Sequence, residues 1–291
     1  MPTIAGLLAR RFIARPDAYA VQKGDGQYYP ARAWNEAEKK YSGPLFPITP
    51  DVLKKHVAGE QPIGHYLVNQ EGMTKLFALD IDFRNASAPW MNVPSPKDLE
   101  SLAIRFGDKP NEFNQAMDFL ESIQNGNPRE LWQDKSHPSR KFFLLQMRNI
   151  AELFTQRISS ELQIPTAAAY SGFKGIHVYG WTGLLPAQSA RDLGEAVLQS
   201  FDRFHPIKGK NFWIDSEEDP HQGFRQFEIE LFPKQDEIGH GGFGNLMRLP
   251  LGVNKKNPNG KAFFIDQRSP AAGIVPREDP ETLLEHGDPW K

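Results

Sequence analysis

Apolar and polar residues alternate along this chain with two periods, and the switches between them outline the elements. Near the start, Leu7, Leu8 and Phe12 share a helical face, which predicts an amphipathic helix over residues 3–15. Residues 17–22 (DAYAVQ) and Tyr28-Tyr29-Pro30 read as strands around the turn-forming Lys23-Gly24-Asp25-Gly26. Thr49 as N-cap and Pro50 at the first helical position open a helix that runs to about Ala58. Strands follow at residues 64–68 and 74–83, separated by the turn Glu71-Gly72-Met73. The second of them, TKLFALDIDF, is strongly apolar and ends in acids.

Residues 84–140 break both periods. They carry Pro89, Pro94, Pro96, Pro110, Pro128 and Pro138 among polar residues, and read as an insertion with helices, one of them at 111–124. Residues 140–163 form the clearest long helix, with Phe143, Leu144, Met147, Ile150, Ala151, Phe154 and Ile158 at three-four spacing. Strands are expected at 166–170 and 176–181, then a helix at 187–205 with Pro186 at its start. The last third reads as mostly strand, at 212–215, 226–232 and 245–249. No internal repeat is visible. Alternating strands and helices predict an α+β (α/β) fold with a mixed sheet.

Composition narrows the function classes. The 291 residues suffice for one large domain or two modest ones. The formal net charge is −2, so any nucleic-acid contact must rest on a local patch. Cysteine is absent, which removes disulfides, thiol nucleophiles and cysteine-ligated zinc, and fits a cytoplasmic protein. No apolar run reaches the ~18 residues of a membrane span. The first residues carry arginines inside a short apolar stretch, unlike a secretory signal.

Three segments carry chemistry. Asp80 and Asp82 lie at i and i+2 of a predicted strand, so their carboxylates project from one face. Two such charges repel unless one is protonated or a cation lies between them, and Mg²⁺ or Mn²⁺ is the natural partner. Alone, the pair also fits a strand running into an exposed turn. Ser171-Gly172-Phe173-Lys174-Gly175-Ile176-His177 is the second segment. Gly172 and Gly175 permit a tight turn, Ser171 and Lys174 offer groups for phosphate oxygens, and His177 follows in the next strand. A hairpin with a satisfied histidine is the plainer alternative. The third segment holds Glu228 and Glu230 on one strand face, then Arg248, and Lys255 and Lys256 as a local basic patch. Asp215-Ser216-Glu217-Glu218-Asp219 is a rival acidic cluster, read as an exposed loop.

In this order, the D-x-D strand, the S-G-x-x-G-x-H turn and the later acid resemble the three motifs of the archaeo-eukaryotic primase superfamily. The likeness is nearest to primase-polymerases of mobile elements, defence systems and CRISPR-associated loci. It extends over residues 50–82, the Glu230-to-Gln235 stretch and Gly244 to Leu251, leaving out about 84–140 and the last twenty or so residues. The resemblance implies a single primase-polymerase domain over 1–291, with an RRM-like catalytic unit and the helical insertion inside it. It implies template-dependent addition of dNTPs or NTPs on single-stranded or primed DNA with two Mg²⁺ or Mn²⁺ ions. Asp80, Asp82 and Glu230 would hold the ions and, with His177, form the catalytic set. Ser171, Gly172, Lys174, Gly175, His177 and Arg248 would bind the nucleotide, and Lys234, Lys255 and Lys256 the nucleic acid. A helicase or proteins of a CRISPR or defence system are the implied protein partners. The zinc module of many members is not expected without cysteine, and the length leaves no room for a helicase domain. Two other functions fit parts of the pattern. A nicking nuclease or replication initiator would also use acids and a histidine, but no H-x-H pair is present. A non-catalytic nucleic-acid or nucleotide-binding module could keep the same fold.

Overall fold

The computed structural model describes residues 2–83, 134, 136, 140–201, 204–208, 211–215, 227–239, 242–257, 260–269 and 273–288. The expected helix at 111–124, nearly all of the insertion around it and the acids at 216–219 lie outside these residues.

The helix α1 (Ile4–Phe12) is capped by Thr3, whose hydroxyl accepts from the Gly6 N–H, and it stops three residues short of the expected end. Ile13 is extended there and Pro16 follows, which disfavours further helix. The strands β1 (Tyr19–Gln22) and β2 (Tyr28–Pro30) form the expected hairpin. In α2 (Pro50–Val57), Thr49 caps the Val52 N–H at 3.3 Å. Next come β3 (Ile63–Tyr66), β4 (Met73–Phe83), α3 (Arg140–Leu162), β5 (Thr166–Tyr170), β6 (Gly175–Pro186) and α4 (Ala187–Gln199). The chain continues with β7 (Phe204–Lys208), β8 (Phe212–Asp215), β9 (Phe227–Phe232), β10 (Leu246–Arg248), β11 (Val253–Asn254), β12 (Gly260–Lys261) and β13 (Phe263–Phe264). The helix α5 (Pro280–His286) closes it.

Two expectations are corrected. The helix predicted over 187–205 ends at Gln199, and residues 204–208 form strand β7. Pro206 would break a helix interior, whereas β7 is an outermost strand, where a missing N–H is tolerated. Phe201 and Phe204 then pack on Phe154 of α3, with ring centres 5.2 and 5.4 Å away. The last third is also less purely strand than expected. Pro280 starts α5, which buries Leu283 and Leu284, and Arg11 of α1 donates to the Leu284 carbonyl at 2.6 Å.

The main sheet has seven strands in the order β13-β5-β6-β4-β9-β8-β7, and where a mixed sheet was expected every neighbouring pair is antiparallel. Side-chain alternation gives β4 two different faces. Phe77, Leu79 and Ile81 pack with Ile176, Val178, Ile229 and Leu231 against α3 and α4. The opposite residues Leu76 and Ala78 join Tyr179, Trp181 and Phe232 in a second core with α1 and α5. Asp80 and Asp82 continue that second face beyond its apolar part. A smaller sheet, ordered β10-β3-β1-β2, shares the second core through Ile63, Tyr19 and Met247. No helix among the described residues is long and apolar enough to cross a membrane.

Candidate active site

The strand β4 lies between β6 and β9, and its register sets the site. Asp80 is directly opposite His177 on one side and Glu230 on the other. One row further on, Asp82 is opposite Gly175 and Glu228. Directly opposed residues share a face and lie close, so these rows bring together groups from three segments distant in sequence. The lack of a side chain at Gly175 leaves room for Asp82. A Cβ there would run into the Asp82 carboxylate and lie 2.8 Å from the Ile81 carbonyl oxygen.

Every acid of the first three faces a cation or an N–H. His177 Nε2 lies 3.4 Å from Asp80 Oδ1, Lys174 Nζ 3.3 Å from Asp82 Oδ2, and Lys234 Nζ 2.8 Å from Glu230 Oε2. Burial holds the Asp80 carboxyl well above the usual range, and the charges of Asp82 and Glu230 push it the same way. Burial, followed by the Arg248 charge, lowers the His177 imidazole to about 3, so it is neutral at physiological pH. Tyr179, two residues on along the same face of β6, places its hydroxyl 2.9 Å from His177 Nδ1. Burial raises that phenol well above its ordinary value, so it keeps its proton and can donate to Nδ1. With Tyr179 as the donor, the imidazole proton is on Nε2, 3.4 Å from Asp80 Oδ1.

Strand β10 brings the second sheet to the site. Asp80, Asp82, Lys174, His177, Arg248 and Lys256 line one cleft of about 230 Å³, with Tyr28 on its wall. The Arg248 guanidinium lies 5.5 Å from the Tyr28 ring centre and donates to Gln22 Oε1 at 3.3 Å. Gln22 also accepts from the Lys255 N–H and donates to Asn254, whose amide donates to the Ser171 carbonyl. This chain of amides ties the basic loop and the Ser171 turn to the hairpin of the small sheet.

The remaining expected residues fall into different places. Ser171 is buried, and its hydroxyl accepts from the Gly175 N–H at 3.3 Å, closing its own turn. Gly172 has φ 83°, and a Cβ on it would lie 2.5 Å from the Gly260 carbonyl oxygen, so its close approach is to β12. Lys234 turns inward between the Phe212 and Phe232 rings, 4.6 and 4.7 Å from their centres. Lys256 reaches the cleft, while Lys255 is held through its backbone. Tyr28, Gln22, Tyr179 and Asn254 were not anticipated. For Tyr179 a signal existed, because it repeats the i, i+2 spacing of His177 on a strand.

Among the described residues, no three His, Cys, Asp or Glu side chains converge as a ready metal cage. The donor set nevertheless suits Mg²⁺ or Mn²⁺. It consists of hard carboxylate oxygens, and Asp80 has its pKa raised by burial first and then by the charges of Asp82 and Glu230, while Mg²⁺ takes only one or two protein carboxylates beside substrate phosphates.

An acid-centred antiparallel sheet with a histidine and an arginine over it has the groups to bind phosphate oxygens. The sequence matches the archaeo-eukaryotic primase domain of the TOTE conflict system over residues 4–273. The chain belongs to that family, a primase-like nucleotidyl transferase family of a conflict system. No curated protein matches it.

Proposed function

We propose that the chain is a template-dependent nucleotidyl transferase, a DNA primase or DNA polymerase that adds nucleotides from dNTPs or NTPs to a 3′-hydroxyl. The row His177–Asp80–Glu230 across three neighbouring strands supports this best, in a chain of the primase family. We read β4, α3, β5, β6, α4 and β9, in the spatial order β5-β6-β4-β9, as the RRM-like catalytic unit, within one catalytic domain. A conflict system is the setting the family carries; replication and CRISPR settings have no such support.

Asp80, Asp82 and Glu230 would hold two Mg²⁺ or Mn²⁺ ions, Glu230 being favoured over Glu228 because it is opposite Asp80. Such ions lower the pKa of a 3′-hydroxyl and offset charge on the departing pyrophosphate. His177 Nε2–H, Lys174 and Arg248 would bind the triphosphate and orient it. The bond from the 3′-oxygen to the α-phosphorus then forms in line as the bond to the pyrophosphate oxygen breaks. Burial of His177 keeps it neutral, so it serves as a hydrogen-bond donor and not as a charge. Lys256, beside Arg248, would meet the template.

The test is incorporation of dNTPs and NTPs on primed and unprimed single-stranded DNA with Mg²⁺ or Mn²⁺. Wild type should extend, and the double variant Asp80→Ala, Asp82→Ala should lose incorporation by at least ~10³-fold. Nucleotide binding by wild type with no turnover on any template would instead favour a non-catalytic module.

A further inference from the structure

The exposed aromatic side chains of the described residues gather on one part of the surface. Tyr29, Trp34, Tyr41 and Phe46 are 41%, 44%, 64% and 47% exposed. Large rings left in water at this density mark an interaction surface. Tyr29, Tyr41 and Phe46 line one groove of about 510 Å³ beside β1 and β2. Trp34 stands edge-on to Tyr41, with ring centres 5.1 Å apart.

The groove is also positive. Lys23 and Arg32 line it, and Lys23 Nζ lies 4.6 Å from the Tyr29 ring centre and 5.7 Å from that of Tyr41. Among the described residues no acid lines the groove, and the nearby acids already have partners. Asp25 accepts from the Tyr29 hydroxyl at 2.7 Å, Glu36 pairs with Lys39, and Glu38 pairs with Lys40. Flat rings with cations between them hold unpaired bases and the phosphates that join them. An apolar peptide would use the rings but bring no negative charge to match Lys23 and Arg32.

Position points the same way. Tyr28 and Tyr29 are neighbours on β2, so they face opposite sides of the small sheet, and Tyr28 lines the catalytic cleft. β2 is the outermost strand of that sheet, so a flexible strand can pass round it from one face to the other. Lys256 of the cleft packs its stem on the hairpin turn, where a Cβ at Gly26 would lie 2.5 Å from Lys256 Cγ.

We propose that this groove binds single-stranded nucleic acid in series with the cleft. A template strand leaving the acids passes Lys256 and the β1–β2 turn, then stacks bases on Tyr29, Tyr41 and Trp34 with phosphates at Lys23 and Arg32. The route rests on the polymerase reading; the binding itself does not.

The test is fluorescence anisotropy of a labelled oligothymidylate with the full chain, without nucleotide or metal. Tyr41→Ala with Trp34→Ala should weaken binding about tenfold or more. Lys23→Ala should weaken it and reduce the slope of log K against log salt by about 1. These side chains are exposed or partly so, and matching melting curves would show that the variants fold. Unchanged oligonucleotide affinity in both variants overturns the proposal, as does unchanged affinity with an altered elution volume, which would assign the groove to a second copy of the chain. Loss of incorporation by wild type would sink the polymerase reading alone, because the binding assay does not depend on it.

Discussion

The Tyr179 hydroxyl lies deep in the second core and has His177 Nδ1 as its partner. Its effect on the acids is indirect: as a donor to Nδ1 it would leave the imidazole proton on Nε2, the nitrogen that faces Asp80. Tyr179→Phe keeps the ring and its edge contact with Phe12, 4.9 Å between centres, while freeing the tautomer. Incorporation should fall about tenfold, the worth of one hydrogen bond of ~1.4 kcal/mol, with Tm within about 2 °C of wild type. A steady-state comparison should show the loss in kcat, with dNTP KM little changed. An unaltered kcat would remove Tyr179 from this role. Asp80 and Asp82 were legible in the sequence because a strand repeats every two residues, and the same rule reaches Tyr179 from His177. No such rule reaches Tyr28 or Gln22, whose place at the site depends on how one sheet meets another.

At the scale of elements, β10 delivers Arg248 because it pairs with β3, where Arg248 is opposite Gly64. That pairing joins residues far apart in the chain, and nothing local to either strand announces it. The local signals did serve elsewhere: Thr49 and Pro50 start α2, and the apolar stripe of residues 140–162 is α3. They misled at 200–205, where the helical pattern runs on but Pro206 and the aromatic contact to α3 favour an outer strand. The joint between α2 and the small sheet is made by His56, which accepts from the Ile63 N–H at 3.0 Å and donates to the Pro250 carbonyl at 2.9 Å. Burial lowers His56 to about 4 and His65, on β3, to about 3. A folded-state pKa below the unfolded value of 6.5 gives stability that is present above 6.5 and lost as pH falls towards the folded value. From these two histidines unfolding in that window takes up as many as two protons, so their contribution should fall by up to about 3 kcal/mol per pH unit as pH drops below about 6. His56→Ala should cost about 3 kcal/mol at neutral pH and make the acid slope shallower, both readable from urea titrations at several pH values. An unchanged slope would show that His56 is already protonated in the fold.

For the whole molecule, the cleft is walled by both sheets, with the acids on β4 and Arg248 on β10. A ligand that touches both walls stabilises their contact, so binding and folding are linked. The charged form of Asp80 works against folding in the absence of a cation. Asp80 has its folded-state pKa raised by burial and by Asp82 and Glu230, so the folded chain holds that proton more tightly than the unfolded chain. Its contribution is therefore favourable at low pH and is lost as pH rises through the raised value, opposite in sign to the histidines. Asp80→Asn removes the charge and should raise Tm at neutral pH in the presence of EDTA. Adding Mn²⁺ and a non-hydrolysable nucleoside triphosphate at about 100 times Kd should stabilise wild type by about 2.7 kcal/mol, a rise in Tm of about 5 °C. EDTA should reverse that rise, and Asp80→Asn should show little of it. A variant more stable than wild type yet unresponsive to ligand is the signature of a site kept for binding at some expense of the fold. A variant that is less stable in EDTA would mean that the Asp80 carboxylate supports the fold, and a full ligand shift in Asp80→Asn would place the cation elsewhere.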